Sequence, residues 1–476
     1  MKKYPVTFTQ ERRLIFEEYM WNSGAHFNPY HVSAYLAIDG PLNIAILEKA
    51  LNSVIERHAG LRSAFMPVGD LSLEERELKI MSAMHDRSLD SGLYGQYIVD
   101  RAPLQINITL LESLDPEEQE MEIENILARS LEKPFDYARP PLMRAHLFQV
   151  SHDRYILALV LLHLICDLFS LQILKRELEV FYNSIQFNLA PSLPTIKRHF
   201  LEYAAQQQQL AKNNRYDVAV SYWRNQLIQF GPALMNCDGL PTIFRGFVNP
   251  TDIRGGIAKV TLEDSLQKSM EDFTRRKKIS IFMLFISACM MVFQIIKKGN
   301  STAIWSTLAN RTDLNYVNAI GNFSNAHILG IVLSDHSTVD DVLREVRNCV
   351  LNAITNQDAP PPLILDRHPF LPHFGPKSVC CDMTEMPRNR QPENQTNQTI
   401  KIQNATFPEQ LLGNWSNSLI IRFWYSQEGS MFTATFRKSL LGNDGIKRLL
   451  NEIISLIFWC VNNEDKRISE YVFCGQ

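Results

Sequence analysis

Apolar residues run unbroken from Tyr155 to Leu162 (YILALVLL) and stop at His163. A run of this length without polar interruption predicts a strand buried on both faces. Beyond it, Leu171, Leu174, Leu178 and Phe181 recur at three- and four-residue spacing, which predicts a helix starting near Ser170. His163 therefore stands at the mouth of a buried strand, in a short loop before a helix, with Asp167 four residues on.

The same alternation of periods recurs along the chain. Residues 43–58 place Leu47, Leu51, Val54 and Ile55 on one helical face. Asp115, Pro116 and the acids after them read as the start of a helix reaching about Glu132. Strands are predicted at 142–150 and 155–162. The Pro-containing stretch LAPSLPTI at 189–196 reads as a linker. After it come a strand at 256–261, helices at 262–277 and 279–297, a strand at 302–308, a helix at 338–355, strands at 418–425 and 431–437 and a helix at 443–461. The fold class is α/β (α+β) in two halves, 1–188 and 189–476, similar in element order but not in sequence. Residues 384–406 carry almost no large apolar group and are expected to form a long exposed loop.

Composition narrows the options. The 45% hydrophobic and 21% charged content is that of an ordinary globular protein. A net charge of −3 offers nothing to nucleic acid or an anionic membrane. The longest apolar run, 280–296, contains Ser280, Ser287 and Gln294 and is short for a membrane span, so it reads as a buried core helix. The eight cysteines are scattered, with no CxxC or metal-type pairing, as in a reduced cytoplasmic protein. There is no signal peptide, no GxxxxGK[ST] and no GxGxxG.

His163 is the candidate for chemistry, since imidazole exchanges a proton near neutral pH. Its spacing to Asp167 is weak evidence alone. A lone histidine at a strand end is commonly structural, and Asp167 or Ser170 could simply cap the next helix. The wider context favours chemistry. Leu162 to Ser170 (LHLICDLFS) resembles the HHxxxDGxS motif of nonribosomal peptide synthetase condensation domains. FTQERRLIF (8–16), RHAGLRSAF (57–65), PFDYARPPLMRAHLF (134–148), SYWRNQL (221–227), NRTDLNYVNAIGNFSN (310–325) and NQDAPP (356–361) resemble further motifs of that family in the family's order.

The resemblance implies a chloramphenicol acetyltransferase-like fold: two subdomains in a V-shaped pseudodimer with a central tunnel. A carrier protein, supplied in trans, would present an acyl or aminoacyl group as a phosphopantetheine thioester at one mouth. An amine or hydroxyl acceptor would enter from the other. His163 would face the thioester, Asp167 would be structural and pair with Arg311, and Arg62 would be a second support of that loop. The tetrahedral oxyanion needs donors, for which Ser170 and the backbone at Leu168 are candidates; Asn325 matches a family asparagine near the substrate. No metal and no bound cofactor are expected, because the thioester is already activated. A monomer is expected.

Two departures bear on activity. Leu162 replaces the first motif histidine and Leu168 the motif glycine. They keep open a degenerate domain that docks carrier proteins or tailoring enzymes. An acyl-CoA-dependent acyltransferase on the same fold is a third reading. The sequence leaves the donor, the acceptor and the choice of amide or ester undefined.

Overall fold

The computed structural model describes residues 2–22, 31–87, 89, 92–248, 255–334, 336–375, 377–385, 401–404, 419–427 and 429–473. The buried run forms the strand Arg154–Leu162, hairpinned to Met143–Ser151. They sit inside a five-stranded sheet with His31–Asp39 on one side and Ile106–Leu110 on the other. The helix Ile44–Arg57 buries the apolar stripe read from the sequence, and Asn43 caps it by accepting from the N–H of Ile46 at 3.1 Å. Asp115 and Glu118 close a capping box at the start of Pro116–Glu132. Both helix starts follow from a short polar side chain that satisfies otherwise orphaned N–H groups.

The second half is built on a six-stranded sheet. Its order is Asn325–Val332, Ser301–Leu308, Val379–Glu385, Leu419–Tyr425, Met431–Arg437 and Gly255–Thr261. Val379–Glu385 runs parallel to both its neighbours, and the other pairings are antiparallel. The apolar run at 280–296 forms the helix Ile281–Lys297, buried from Met283 to Gln294 against this sheet. Among the described residues no single helix is long and apolar enough to cross a membrane.

One element was not predicted from the sequence, and one expectation needs correction. The opening segment is a helix, Phe8–Asn22, although charges fall on every side of it. It is stable because its buried polar groups are partnered: Gln10 accepts from the N–H of Thr7 at 2.9 Å, and Glu11 accepts from that of Leu93 at 2.7 Å. The expected exposed loop at 384–406 is not a loop throughout. Residues 384 and 385 end the strand Val379–Glu385, and Lys401–Asn404 pairs antiparallel with His31–Asp39. Residues 386–400 and 405–406 lie outside the described residues. The chain past residue 189 thus supplies a strand to the first half's sheet, and the stretch at 189–198, though without regular structure, does not separate two independent units.

Candidate active site

The strand Arg154–Leu162 delivers His163 to a tight turn that leads into the helix Leu168–Gln186. The N–H of Ile165 returns to the carbonyl of Leu162 at 3.0 Å, and Asp167 caps the helix by accepting from the N–H of Ser170 at 2.8 Å. Leu168 opens the helix without a left-handed backbone, so the motif glycine's conformational freedom is not required there. What leucine changes is volume: its side chain is half-buried against the first half's core.

The turn is fastened to the second half through Asp167 and Ser170. Arg311 donates from Nη2 to Asp167 Oδ1 at 3.2 Å and to Ser170 Oγ at 2.8 Å. Its Nη1 donates to the carbonyls of Tyr316 and Ala319 at 3.0 and 2.8 Å. The N–H of Phe323 reaches the second oxygen of Asp167 at 3.0 Å. Ser170 Oγ donates to the carbonyl of Gly321 at 2.8 Å and accepts from its N–H at 3.1 Å. Gly321 is needed for this approach, since a Cβ there would sit 2.2 Å from the ring of Phe200. The Arg311 guanidinium lies over Phe169 and Phe323, 4.5 and 4.2 Å from the ring centres.

Several sequence-nominated roles change on this geometry. Ser170 is not available as an oxyanion donor, because its hydroxyl hydrogen is spent on Gly321. Asp167 takes the N–H of Ser170 and its carbonyl takes that of Leu171, leaving those of Leu168 and Phe169 without a partner among the described residues. Arg62 does not reach the turn. It donates to the carbonyls of Val99, Asp100 and Glu56, joining the end of the helix Ile44–Arg57 to the strand Tyr94–Ile98. Asn325 is turned into the second half, donating to the carbonyl of Gln357 at 3.0 Å.

The turn has supports the sequence did not reveal. Gln10 of the opening helix donates to the carbonyl of Leu164 at 2.8 Å. His31 lies directly across from Leu162 in the sheet, edge-on to Phe135, and burial pushes its imidazole down to about 3. Glu177 is buried in the helix that follows the turn, held by Arg57 at 3.1 Å and His58 at 2.8 Å. Three downstream motifs also converge. Trp223 donates to the carbonyl of Asn356 and stacks on His327, and Gln357 accepts from the N–H of Asn310. The motifs name these residues, but which of them meet depends on register and chain crossing.

His163 itself is half-buried. Burial pulls its imidazole down to about 4, against the opposite pull of the backbone at His163 and Cys166 and of Asp167; the charge of Arg13 adds to the lowering. The ring is neutral near pH 7, the form that accepts a proton. Cys166 is buried, donates its thiol weakly to the carbonyl of Asp167, and is held well above the usual thiol range by burial. Among the described residues no three His, Cys, Asp or Glu side chains gather as a metal site.

A family model described as Condensation domain matches residues 1–80 and 84–471. A component of the linear gramicidin synthase of Brevibacillus parabrevis is 23% identical over 472 residues, covering 98% of the chain. The chain spans 8% of that protein's length. The first condensation domain of the calcium-dependent antibiotic synthetase, solved with a substrate analogue, superposes with a TM-score of 0.75 at 14% identity and covers 99% of this chain and 100% of its own. The X-domain from teicoplanin biosynthesis, solved in complex with OxyB, superposes with a TM-score of 0.71 at 20% identity, covering 99% of this chain and 96% of its own.

Proposed function

The chain belongs to the condensation-domain family and has its chloramphenicol acetyltransferase-like fold, and from that premise we propose that it transfers an acyl or aminoacyl group from the phosphopantetheine thioester of a carrier protein to an amine or hydroxyl acceptor. The observation that carries this reading is the division of labour in the turn. Asp167 and Ser170 are wholly engaged in holding it, while His163 stands half-buried and neutral at its edge.

In the reaction, the acceptor nitrogen or oxygen attacks the thioester carbonyl carbon. As the new bond forms, the acceptor's proton passes to the neutral His163 imidazole. The carbon–sulfur bond then breaks, and the pantetheine thiolate leaves and takes the proton back. The negative charge on the tetrahedral oxygen needs fixed donors. The N–H groups of Leu168 and Phe169, at the positive end of a nineteen-residue helix, suit that role. Thioester carbonyls are already reactive, so the chain's own residues suffice.

Leu162 and Leu168 favour a second reading, a domain that binds carriers or tailoring enzymes without transferring anything. Intact-protein mass spectrometry decides between them. An acyl-loaded carrier is incubated with a panel of amines and alcohols, with the wild type or His163→Ala. Transfer by the wild type, reduced about 10²–10⁴-fold in the variant, is the expected result. Carrier binding with no transfer by either protein would leave the docking reading.

A further inference from the structure

A row of polar residues crosses five adjacent strands of the second half's sheet. Strand register aligns Asp382 with Arg422, Arg422 with Thr433 and Thr433 with Lys259, while Asp382 bonds to Thr307 on the other side. All project from one face. On the opposite face the alternate residues, Leu419, Ile421, Phe423 and Phe432, are fully buried, with Phe285 of the long core helix packed on the last two. The polar face is only half-covered along the central strand, where Ile420, Arg422 and Trp424 are partly exposed. At one end of the row, Thr307 is the penultimate residue of its strand, four residues before Arg311, which bonds to Asp167.

Within this row the members are unequally satisfied. Asp382 is saturated. Its Oδ1 accepts from the N–H of Thr307 at 2.8 Å and the thiol of Cys380 at 3.3 Å; its Oδ2 accepts from the hydroxyl of Thr307 at 3.3 Å and from Arg422 Nη2 at 3.3 Å. Among the described residues Arg422 makes that single bond, and its Nε is buried with no hydrogen-bond partner. The guanidinium is steadied 5.5 Å from the centre of the Trp424 ring, which is itself fixed by donating to Thr433 at 2.9 Å.

We infer that Arg422 is a specificity-determining residue that binds a carboxylate on the acceptor, so that the acceptor is a free amino or hydroxy acid. The inference rests on the acyl-transfer reading above for what it calls an acceptor. The Nε of Arg311 and of Arg62 is buried without a partner too, but their terminal nitrogens meet four and three acceptors; those of Arg422 meet one among the described residues, and donors left over in this way call for a ligand or water. The Nε and Nη edge of arginine presents two parallel N–H groups that match the two oxygens of a carboxylate. Asp382 takes one hydrogen of Nη2, while Nε and Nη1 make no hydrogen bond among the described residues. Trp424 and Ile420 beside it would accept the acceptor's apolar part.

The test uses the full chain and pairs of probes, each a free amino acid and its own carboxamide. Two readouts run in parallel: transfer from the acyl-loaded carrier, and binding followed by saturation-transfer NMR. Wild type should favour the acid over the amide by about tenfold or more, the scale of one charge-assisted bidentate contact. Arg422→Gln should bring that ratio close to one, and Arg422→Lys should give an intermediate ratio; an unchanged unfolding midpoint establishes that both variants are folded. His163→Ala should lose transfer by the same factor of about 10²–10⁴ and keep acid-selective binding. Equal handling of acid and amide by the wild type, or equal loss of both in Arg422→Gln, overturns the inference. Acid-selective binding without any transfer would sustain the role of Arg422 while removing the acyl-transfer reading.

Discussion

Two aspartate–arginine pairs sit in the second half's neighbourhood with nearly the same separation, 3.2 Å for Asp167–Arg311 and 3.3 Å for Asp382–Arg422. Their surroundings differ. The first has side chains 3% and 4% exposed, and Arg311 spends its two terminal nitrogens on four acceptors. In the second, Arg422 is 16% exposed and makes one bond among the described residues. Distance alone would rank them as equals. Counting the commitments of each donor separates a pair that holds two halves together from one that keeps capacity for a ligand.

Removing the arginine from each pair should set the two apart most clearly. Arg311→Ala strands a buried carboxylate and should cost about 3–5 kcal/mol in urea unfolding. Arg422→Ala should cost about 1 kcal/mol, because Asp382 keeps its other donors, the N–H and hydroxyl of Thr307 and the thiol of Cys380. Equal losses would show that both pairs are structural. Next in size is Ser170→Ala, which leaves Gly321 and Arg311 short of a partner and should cost about 1–3 kcal/mol. Transfer by this variant, measured per folded molecule, should persist, since the hydroxyl's hydrogen is not offered to substrate.

The smallest effect is in pH dependence. In the folded chain His163 stays neutral down to about 4, whereas an unfolded histidine takes up a proton near 6.5. Its contribution to stability is therefore fully present above pH 6.5 and is lost as pH falls from there toward 4. His31 and His327, both pushed down to about 3 by burial, act in the same direction over a window reaching lower. Unfolding midpoints measured at pH 7, 6 and 5 should fall steadily in the wild type and more gently in His163→Gln. The acid limb of kcat/KM should lie well below 6.5. A limb at the ordinary histidine value would mean that the ring is solvated and that burial does not hold it neutral.

Much of the fold was legible because period and length agreed. The strand at 155–162 and the helices at 43–58 and 338–355 fall within a residue or two of Arg154–Leu162, Ile44–Arg57 and Val339–Asn356. The opening helix was missed because Gln10, Glu11 and Glu17 share its buried face with Phe8, Leu14 and Ile15, and the strand Lys401–Asn404 because it is short and lies in a polar stretch. At the site, His163, Asp167 and Arg311 could be nominated from motif spacing. Gln10, His31 and the Thr307-to-Lys259 row could not, since each depends on strand register or on packing between distant segments. Arg62 was misplaced for the same reason: its motif names the residue, but its side chain closes a different junction.

The strand Lys401–Asn404 bears on how such a protein could be taken apart. It covers the His31–Asp39 edge of a sheet whose remaining strands all come from residues before 163. A fragment ending near residue 188 would carry that edge bare, with a row of unpaired N–H and C=O groups open to any passing chain. Such a fragment would pair with itself or aggregate, and recombination between relatives at this point would exchange a sheet for one lacking its matched border. The two halves are joined as a garment is hemmed: the thread that finishes one edge is drawn from the other piece.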